Sequence, residues 1–401
     1  MIWSWVIWIS IMLIVLAGGF WYIGRRLIGT LQLPPNRKLA ALVGLAVLFL
    51  IPFLSMFLLR STGRLGTVWS WVTYSSLGFL SLVFTVLVVR DLMFLAARGL
   101  ASLARLVRTS AHRPLDPARR EFLYQSTNIL ILGAAGALTG YGIYEARRKP
   151  GIVKVSVPLK NLPEPFEGFR IVQITDIHAG LTVKRDWVET IAQQVSDLKP
   201  DLIAFTGDLV DGSVAHLRDD VAPLAELQAS HGTIFVTGNH EYYSDVLPWV
   251  KQAQTMGYDV LINEHRLISL HGASIVVAGV TDPTGAQFLP RTHTPNPQSA
   301  IEGAPSDSIK ILLAHQPKAV YDAQPLGFDL LISGHTHGGQ FFPWNLIAAL
   351  GQPYIKGLHN HNGTWVYVSK GTGYWGPPVR LGARSEITVI SLTRDSTSPL
   401  S

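Results

Sequence analysis

Four stretches near the amino terminus run for more than twenty residues without a charged side chain: residues 2–24, 39–59, 65–89 and 122–144. As helices each is long enough to cross about 30 Å of hydrocarbon. One such run fits a buried core helix as well as a membrane span, but four within 150 residues point to a membrane domain. Trp3, Trp5, Trp21, Tyr22, Trp69 and Trp71 sit towards the ends of runs, as an interfacial aromatic belt requires. The first run lacks a basic leader and a small-residue cleavage site, so it is expected to be a retained anchor.

Charge divides the chain at the same place. Residues 1–150 hold 16 Lys+Arg and 4 Asp+Glu while residues 151–401 hold 17 and 23, so a +12 half precedes a −6 half. Basic residues placed between apolar runs, ahead of an acidic half, exclude a nucleic-acid partner and leave the lipid bilayer as the expected one. The absence of cysteine removes disulfides, thiolate metal sites and a cysteine nucleophile. Eleven basic residues (Arg25, Arg26, Arg37, Lys38, Arg90, Arg98, Arg105, Arg108, Arg113, Arg119 and Arg120) follow runs one and three, against five (Arg60, Arg64, Arg147, Arg148 and Lys149) on the other side. The positive-inside rule then puts the amino terminus and everything after run four outside the cytoplasm. Leu92, Leu95, Leu103 and Leu106 share a helical face, which suits either a helix in the inner interface or a plain loop helix. Almost no ionisable residue interrupts the runs, which argues for an anchor rather than an ion-coupled transporter.

The acidic half alternates strand and helix patterns. Strands are expected at residues 152–159, 170–175, 202–206, 233–237, 274–280, 310–313, 329–333, 364–368 and 386–392. Trp187, Ile191, Val195 and Leu198 mark one helix, and residues 214–228 form a second. Such alternation implies an α/β domain. Polar residues collect after the strands: Asp176 and His178 after one, Asp208 after the next, then Asn239 and His240, then His315, then His335 and His337. Any one of them suits a satisfied core group or a helix cap. Five blocks in register at carboxyl ends, where α/β sheets bind ligands, point to one site. The donors are oxygen and nitrogen only, a set suited to two divalent ions of manganese, iron or zinc. Two such ions, offset by two carboxylates and a hydroxide, leave a cationic centre attractive to a phosphate oxyanion.

Asp176-Ile177-His178, Gly207-Asp208-Leu209-Val210-Asp211, Gly238-Asn239-His240-Glu241, His315 and Gly334-His335-Thr336-His337 together resemble the five blocks of the calcineurin-like metallophosphoesterase superfamily. Arg119-Arg120, which resembles a twin-arginine export element, Gly338-Gly339-Gln340 and residues 373–380 are similar to its bacterial membrane-associated branch. The resemblance implies an α/β sandwich behind a helical anchor of about four spans. It gives the first metal Asp176, His178, Asp208 and His337, and the second Asp208, Asn239, His315 and His335, with Asp208 bridging. His240 would contact the phosphate and assist the leaving group. Asp211 would contact substrate or hydrogen-bond its loop, and Arg380 would bind substrate phosphate or be structural. His359 and His361 are expected to be surface histidines.

The expected division is an anchor at 1–146, a linker and first strand at 147–165, the phosphoesterase at 166–395 and a tail at 396–401. The expected activity is hydrolysis of a phosphodiester or lipid-linked phosphate outside the cytoplasm. The alternatives are a cytoplasmic hydrolase of UDP-diacylglucosamine type and a non-catalytic metal-dependent sensor.

Overall fold

A computed structural model describes residues 2–58, 64–107 and 117–395. Arg60, Arg108, Arg113 and the tail from 396 lie outside the described residues, as do the side chains of Trp3, Trp5, Arg64, Arg105, Leu106 and Arg120. The chain divides into two compact units, residues 1–143 and 144–401.

The first unit is helical: α1 (Ile2–Ile23), continued by a π turn (Gly24–Ile28), α2 (Pro35–Leu58), α3 (Arg64–Val107) and α4 (Pro117–Arg147). Among the described residues, Gly66–Leu103 and Glu121–Arg147 are long and apolar enough to cross a membrane. The segment carrying Leu92, Leu95 and Leu103 is no separate interfacial helix. It continues α3, which runs from Arg64 to Val107 with no proline to break it. Polar groups join three of the helices. Tyr22 donates to Asp91 at 2.7 Å, Arg26 pairs with Asp91 at 2.6 Å, and Arg90 donates to Asn128 at 2.7 Å.

Among the described residues the second unit holds twelve strands, numbered in chain order. The first six-stranded sheet contains β1 (Gly151–Leu159), β2 (Arg170–Ile174), β3 (Leu202–Phe205), β4 (Thr233–Phe235), β5 (Asp259–Val260) and β12 (Glu386–Arg394), in the order β1-β12-β2-β3-β4-β5. The second contains β6 (Glu264–Leu270), β7 (Ala273–Gly279), β8 (Lys310–Leu313), β9 (Leu330–Ser333), β10 (Gly357–His361) and β11 (Thr364–Val368), in the order β10-β11-β9-β8-β7-β6. β2, β3 and β4 pair in parallel, as do β7, β8 and β9. Their near-continuous apolar sequences follow from burial on both faces.

Leu202, Ala204, Ile234, Val277, Ile311 and Ile332 fill the space between the sheets. Helices cover the outer faces. α5 (Arg185–Asp197) turns Trp187, Val188, Ile191 and Val195 onto the first sheet, one apolar stripe at helical spacing. The helix expected over 214–228 is shorter: α6 (Val214–Val221) gives way to a 3-10 turn at Ala222–Glu226. Pro223 lacks the N–H that an α-helix interior needs but fits the start of a new turn.

Candidate metal centre

β2, β3 and β4 from one sheet and β8 and β9 from the other end at a common edge, and each delivers one of the predicted blocks there. Asp176, His178, Asp208, His335 and His337 all have φ between 50° and 69°. Side chains other than glycine rarely adopt that left-handed region, and such strain collects at functional sites. Glycines permit the crowding. A Cβ on Gly238 would collide with Asp208 Oδ1, and one on Gly334 with Asp176 Oδ2.

Two donor clusters result. In the first, His178 Nε2 lies 3.0 Å from His337 Nε2, 4.0 Å from Asp176 Oδ1 and 3.7 Å from Asp208 Oδ2, while His337 Nε2 is 3.4 Å from Asp176 Oδ1. In the second, His315 Nε2 lies 3.1 Å from Asp208 Oδ2 and 3.2 Å from Asn239 Oδ1. His335 Nδ1 sits 3.1 Å from Asn239 Oδ1 and 3.2 Å from His315 Nε2. Asp208 Oδ2 belongs to both clusters. Seven predicted ligands thus converge with spacings short enough for each cluster to hold one ion.

Tautomers and charge test the fit. His178 Nδ1 faces Asp211 Oδ1 at 3.0 Å and His315 Nδ1 faces the Thr206 carbonyl at 2.7 Å. With their protons on Nδ1, both rings turn an Nε2 lone pair into the cluster, as metal-bound histidines do. Asp176 and Asp208 are buried, and their ion pairs among the described residues are with imidazoles alone. Two buried carboxylates without a lysine or arginine partner suit a cation. Burial pushes the Asp176 carboxyl up and pulls His335 down to about 3. Burial also acts to raise Asp208, but the neighbouring His315 and His240 charges outweigh it and hold that carboxyl well below the usual range.

His240 follows Asn239 at the start of α7 (Asn239–Tyr243), and its backbone N–H donates to Asp208 Oδ1 at 2.9 Å. Its Nδ1 lies 2.5 Å from Asp211 Oδ1, and its ring meets that of His178 edge-on at 4.6 Å. Burial would lower its pKa, yet the Asp208 and Asp211 carboxylates raise it to about 9.

Two residues stand elsewhere than a substrate-binding reading requires. Asp211 is occupied in orienting two rings, those of His178 and His240. Arg380 is fully buried. Its Nε donates to the Gly373 carbonyl, Nη1 to those of Ala383 and His337, and Nη2 to those of Lys370 and Gly373. All five hydrogens have backbone acceptors, so Arg380 is a clamp behind His337 and does not reach substrate. Nη2 also lies 3.0 Å from His337 Nδ1, where a guanidinium can only donate, so this ring nitrogen shares the Nη2 hydrogens with the carbonyls. Burial pulls the guanidinium down to about 10, which leaves it charged at neutral pH.

Sequence reasoning assigned no role to Glu241. Its buried carboxylate accepts the backbone N–H groups of Asp208 (3.0 Å), Leu209 (2.8 Å) and Gly238 (2.7 Å), tying two ligand loops together. Its signal was present, since an acid three residues after a strand-end glycine is the capping-box spacing.

A sandwich whose edge holds two oxygen and nitrogen donor clusters around one shared carboxylate has the arrangement of a two-metal hydrolase. The calcineurin-like phosphoesterase family model matches residues 169–339. "Transmembrane protein with metallophosphoesterase domain" of Danio rerio is 38% identical over 66% of this chain and 62% of its own length. The protein of that name in Bos taurus is 40% identical over 69% and 64%. The chain thus matches a little under two thirds of either vertebrate relative. An "Uncharacterized metallophosphoesterase" of Helicobacter pylori strain J99 is 36% identical over 69% of this chain and 73% of its own length. The chain belongs to the calcineurin-like metallophosphoesterase family, whose general activity is metal-dependent hydrolysis of phosphoesters.

Proposed function

We propose that this chain is a membrane-anchored two-metal phosphoesterase acting on a phosphodiester or lipid-linked phosphate. The observation that carries the reading is the sharing of Asp208 Oδ2 between two donor clusters at one sheet edge. Asp176, His178, Asp208 and His337 hold one ion, and Asp208, Asn239, His315 and His335 the other. Oxygen and nitrogen donors favour manganese, iron or zinc. Two such ions would supply an ionised water at neutral pH and neutralise charge on the phosphate oxygens. His240, its Nδ1 held by Asp211, keeps Nε2 for the leaving oxygen and gives it a proton.

The anchor is 1–146, with the four helices as four spans of a bacterial inner membrane. Residues 147–165 are the linker and first strand, 166–395 the catalytic domain and 396–401 a tail. The excess of basic residues after spans one and three supports an extracytoplasmic catalytic domain. Elemental analysis of the Mn²⁺-reconstituted chain, with hydrolysis of a soluble aryl phosphodiester, tests the chemistry. About two ions per chain and metal-dependent turnover are expected, and a metal content near zero would sink the two-metal reading. Reporter fusions after Ser110 and Leu159 test orientation and should read inside and outside.

A further inference from the structure

Among the described residues, fourteen large hydrophobic residues of the second unit are exposed, and five of them (Phe342, Trp344, Leu346, Ile347 and Leu350) fall within nine consecutive positions. They lie on and just before the helix Trp344–Gly351, which contains no charged residue and begins seven residues after His337. Leu350 is 88% exposed. A soluble surface rarely concentrates aliphatic side chains in this way unless something covers them.

This helix borders the metal centre. A Cβ on Gly339 would collide with Asn345, so the helix packs directly on the His337 loop. The Gln340 amide donates to the carbonyls of Trp375 and Pro377 at 3.0 Å, and Gln340 Oε1 accepts the Trp375 N–H. Trp375, 53% exposed, stands 5.7 Å from His240 between ring centroids, and the exposed Tyr243 stands 5.4 Å from it on another side. The rim of the catalytic mouth is therefore apolar and continuous with the helix.

Charge and continuity name the occupant. The unit is acidic overall, yet residues 330–385 contain no carboxylate and their exposed charges are Lys356 and Arg384, since Lys370 pairs with Glu386 and Arg380 is buried. Lys318, also exposed, donates its backbone N–H to Gln352, the residue that follows the helix. Basic residues beside an apolar helix match an anionic lipid surface. The last turn of α4 belongs to this unit, and Arg147 Nη1 lies 3.5 Å from the Thr182 carbonyl. Tyr374 Oη donates to that same carbonyl at 3.3 Å, one residue before Trp375.

We propose that the helix Trp344–Gly351, with Trp375 and Tyr243, seats in the surface of the bilayer that anchors the chain, so that the metal centre takes phosphoesters of membrane lipids. This rests on the membrane-anchored reading above.

The absence of native cysteine makes the test direct. The full chain, Zn²⁺-loaded and reconstituted in vesicles of phosphatidylglycerol and phosphatidylethanolamine, would carry a nitroxide at L350C, at Y321C or at Ile129→Cys in α4. Oxygen and a water-soluble nickel chelate report depth. Labels at 350 and 129 should both meet oxygen and exclude nickel, while the label at 321 does the reverse. A water-exposed label at 350 with 129 in hydrocarbon would overturn the docking alone; water at 129 as well would overturn the anchoring with it. Spin–spin broadening between labels at 350 would assign the face to a second copy and also overturn the proposal. Leu350→Glu should lower the ratio of turnover on vesicle phospholipid to turnover on soluble bis(nitrophenyl) phosphate at least tenfold, and an unchanged ratio counts against it.

Discussion

Replacing Arg380 by lysine separates a structural clamp from a substrate contact, because lysine keeps the charge and discards the geometry. The guanidinium directs five N–H groups from three nitrogens to carbonyls of His337, Lys370, Gly373 and Ala383. A lysine ammonium has three hydrogens on one nitrogen, so at least two contacts are lost in a site with no solvent exposure. Hydrogen bonds to a charged group contribute about 1.5–3 kcal/mol each, which puts the loss at about 3–6 kcal/mol. No relief from desolvation offsets it, since an ammonium is more strongly hydrated than a guanidinium. For a domain of this size roughly 2–4 °C accompanies each kcal/mol, so Arg380→Lys should lower Tm by about 6 °C or more. The melt would be followed by near-ultraviolet circular dichroism in detergent with chelator present, so that metal ligation does not enter. A Tm within about 2 °C of the parent together with a raised KM would refute the clamp and return Arg380 to the substrate.

Three further outcomes are expected. Asp208→Asn should lose both ions by elemental analysis whereas His335→Ala retains about one, since only Asp208 belongs to both clusters; equal retention in the two would break the shared-ligand geometry. His240→Asn should keep both ions but lose roughly 10²–10⁴-fold in turnover on an alkyl phosphoester, and much less on a nitrophenyl ester whose leaving group needs little protonation; equal losses would mean that His240 only orients phosphate. Burial holds His293 below the usual imidazole range, with Nδ1 2.7 Å from Tyr242 Oη. Its neutral form therefore stabilises the fold in full above about pH 6.5, and that contribution is lost as pH falls below this value towards the lowered pKa of the folded state. His293→Gln should flatten the fall in Tm between pH 7 and pH 5, and an undiminished fall would remove His293 from the acid response.

The strands that end at the metal centre were legible because each joins two independent signals, an apolar run and then a ligand-type side chain, with a glycine beside that side chain at Asp208, Asn239 and His335. The hairpins were not. β6 and β7 are joined through His271-Gly272, both at positive φ, and β10 and β11 through Asn362-Gly363, likewise positive. Two-residue turns of that kind are strong hairpin signals, but Glu264–Leu270 and Gly357–His361 are half-exposed and carry histidines and charges that mask strand alternation. Asp211 and Arg380 were visible as residues worth naming while their partners were not, since the imidazoles that Asp211 holds lie 29 and 33 positions away and the carbonyls around Arg380 come from 3 to 43 positions away. Sequence spacing reports what a side chain can do; only the fold reports what already occupies it.

The last turn of α4 bears on how the second unit could ever be separated from the helices that precede it. Ala146 is buried in the core cluster that contains Trp187, Ile191 and Ile387, and Trp187 Nε1 donates to the Arg147 carbonyl. A protease cutting at Lys149, the exposed residue of the short connection between Arg147 and Gly151, would therefore free a fragment lacking part of its own interior. Shedding a fully packed soluble enzyme requires a cut upstream of Tyr144, inside helix α4, where a protease meets no extended chain. The end of α4 is in this sense part of the fold that holds the site rather than a mere connection to it.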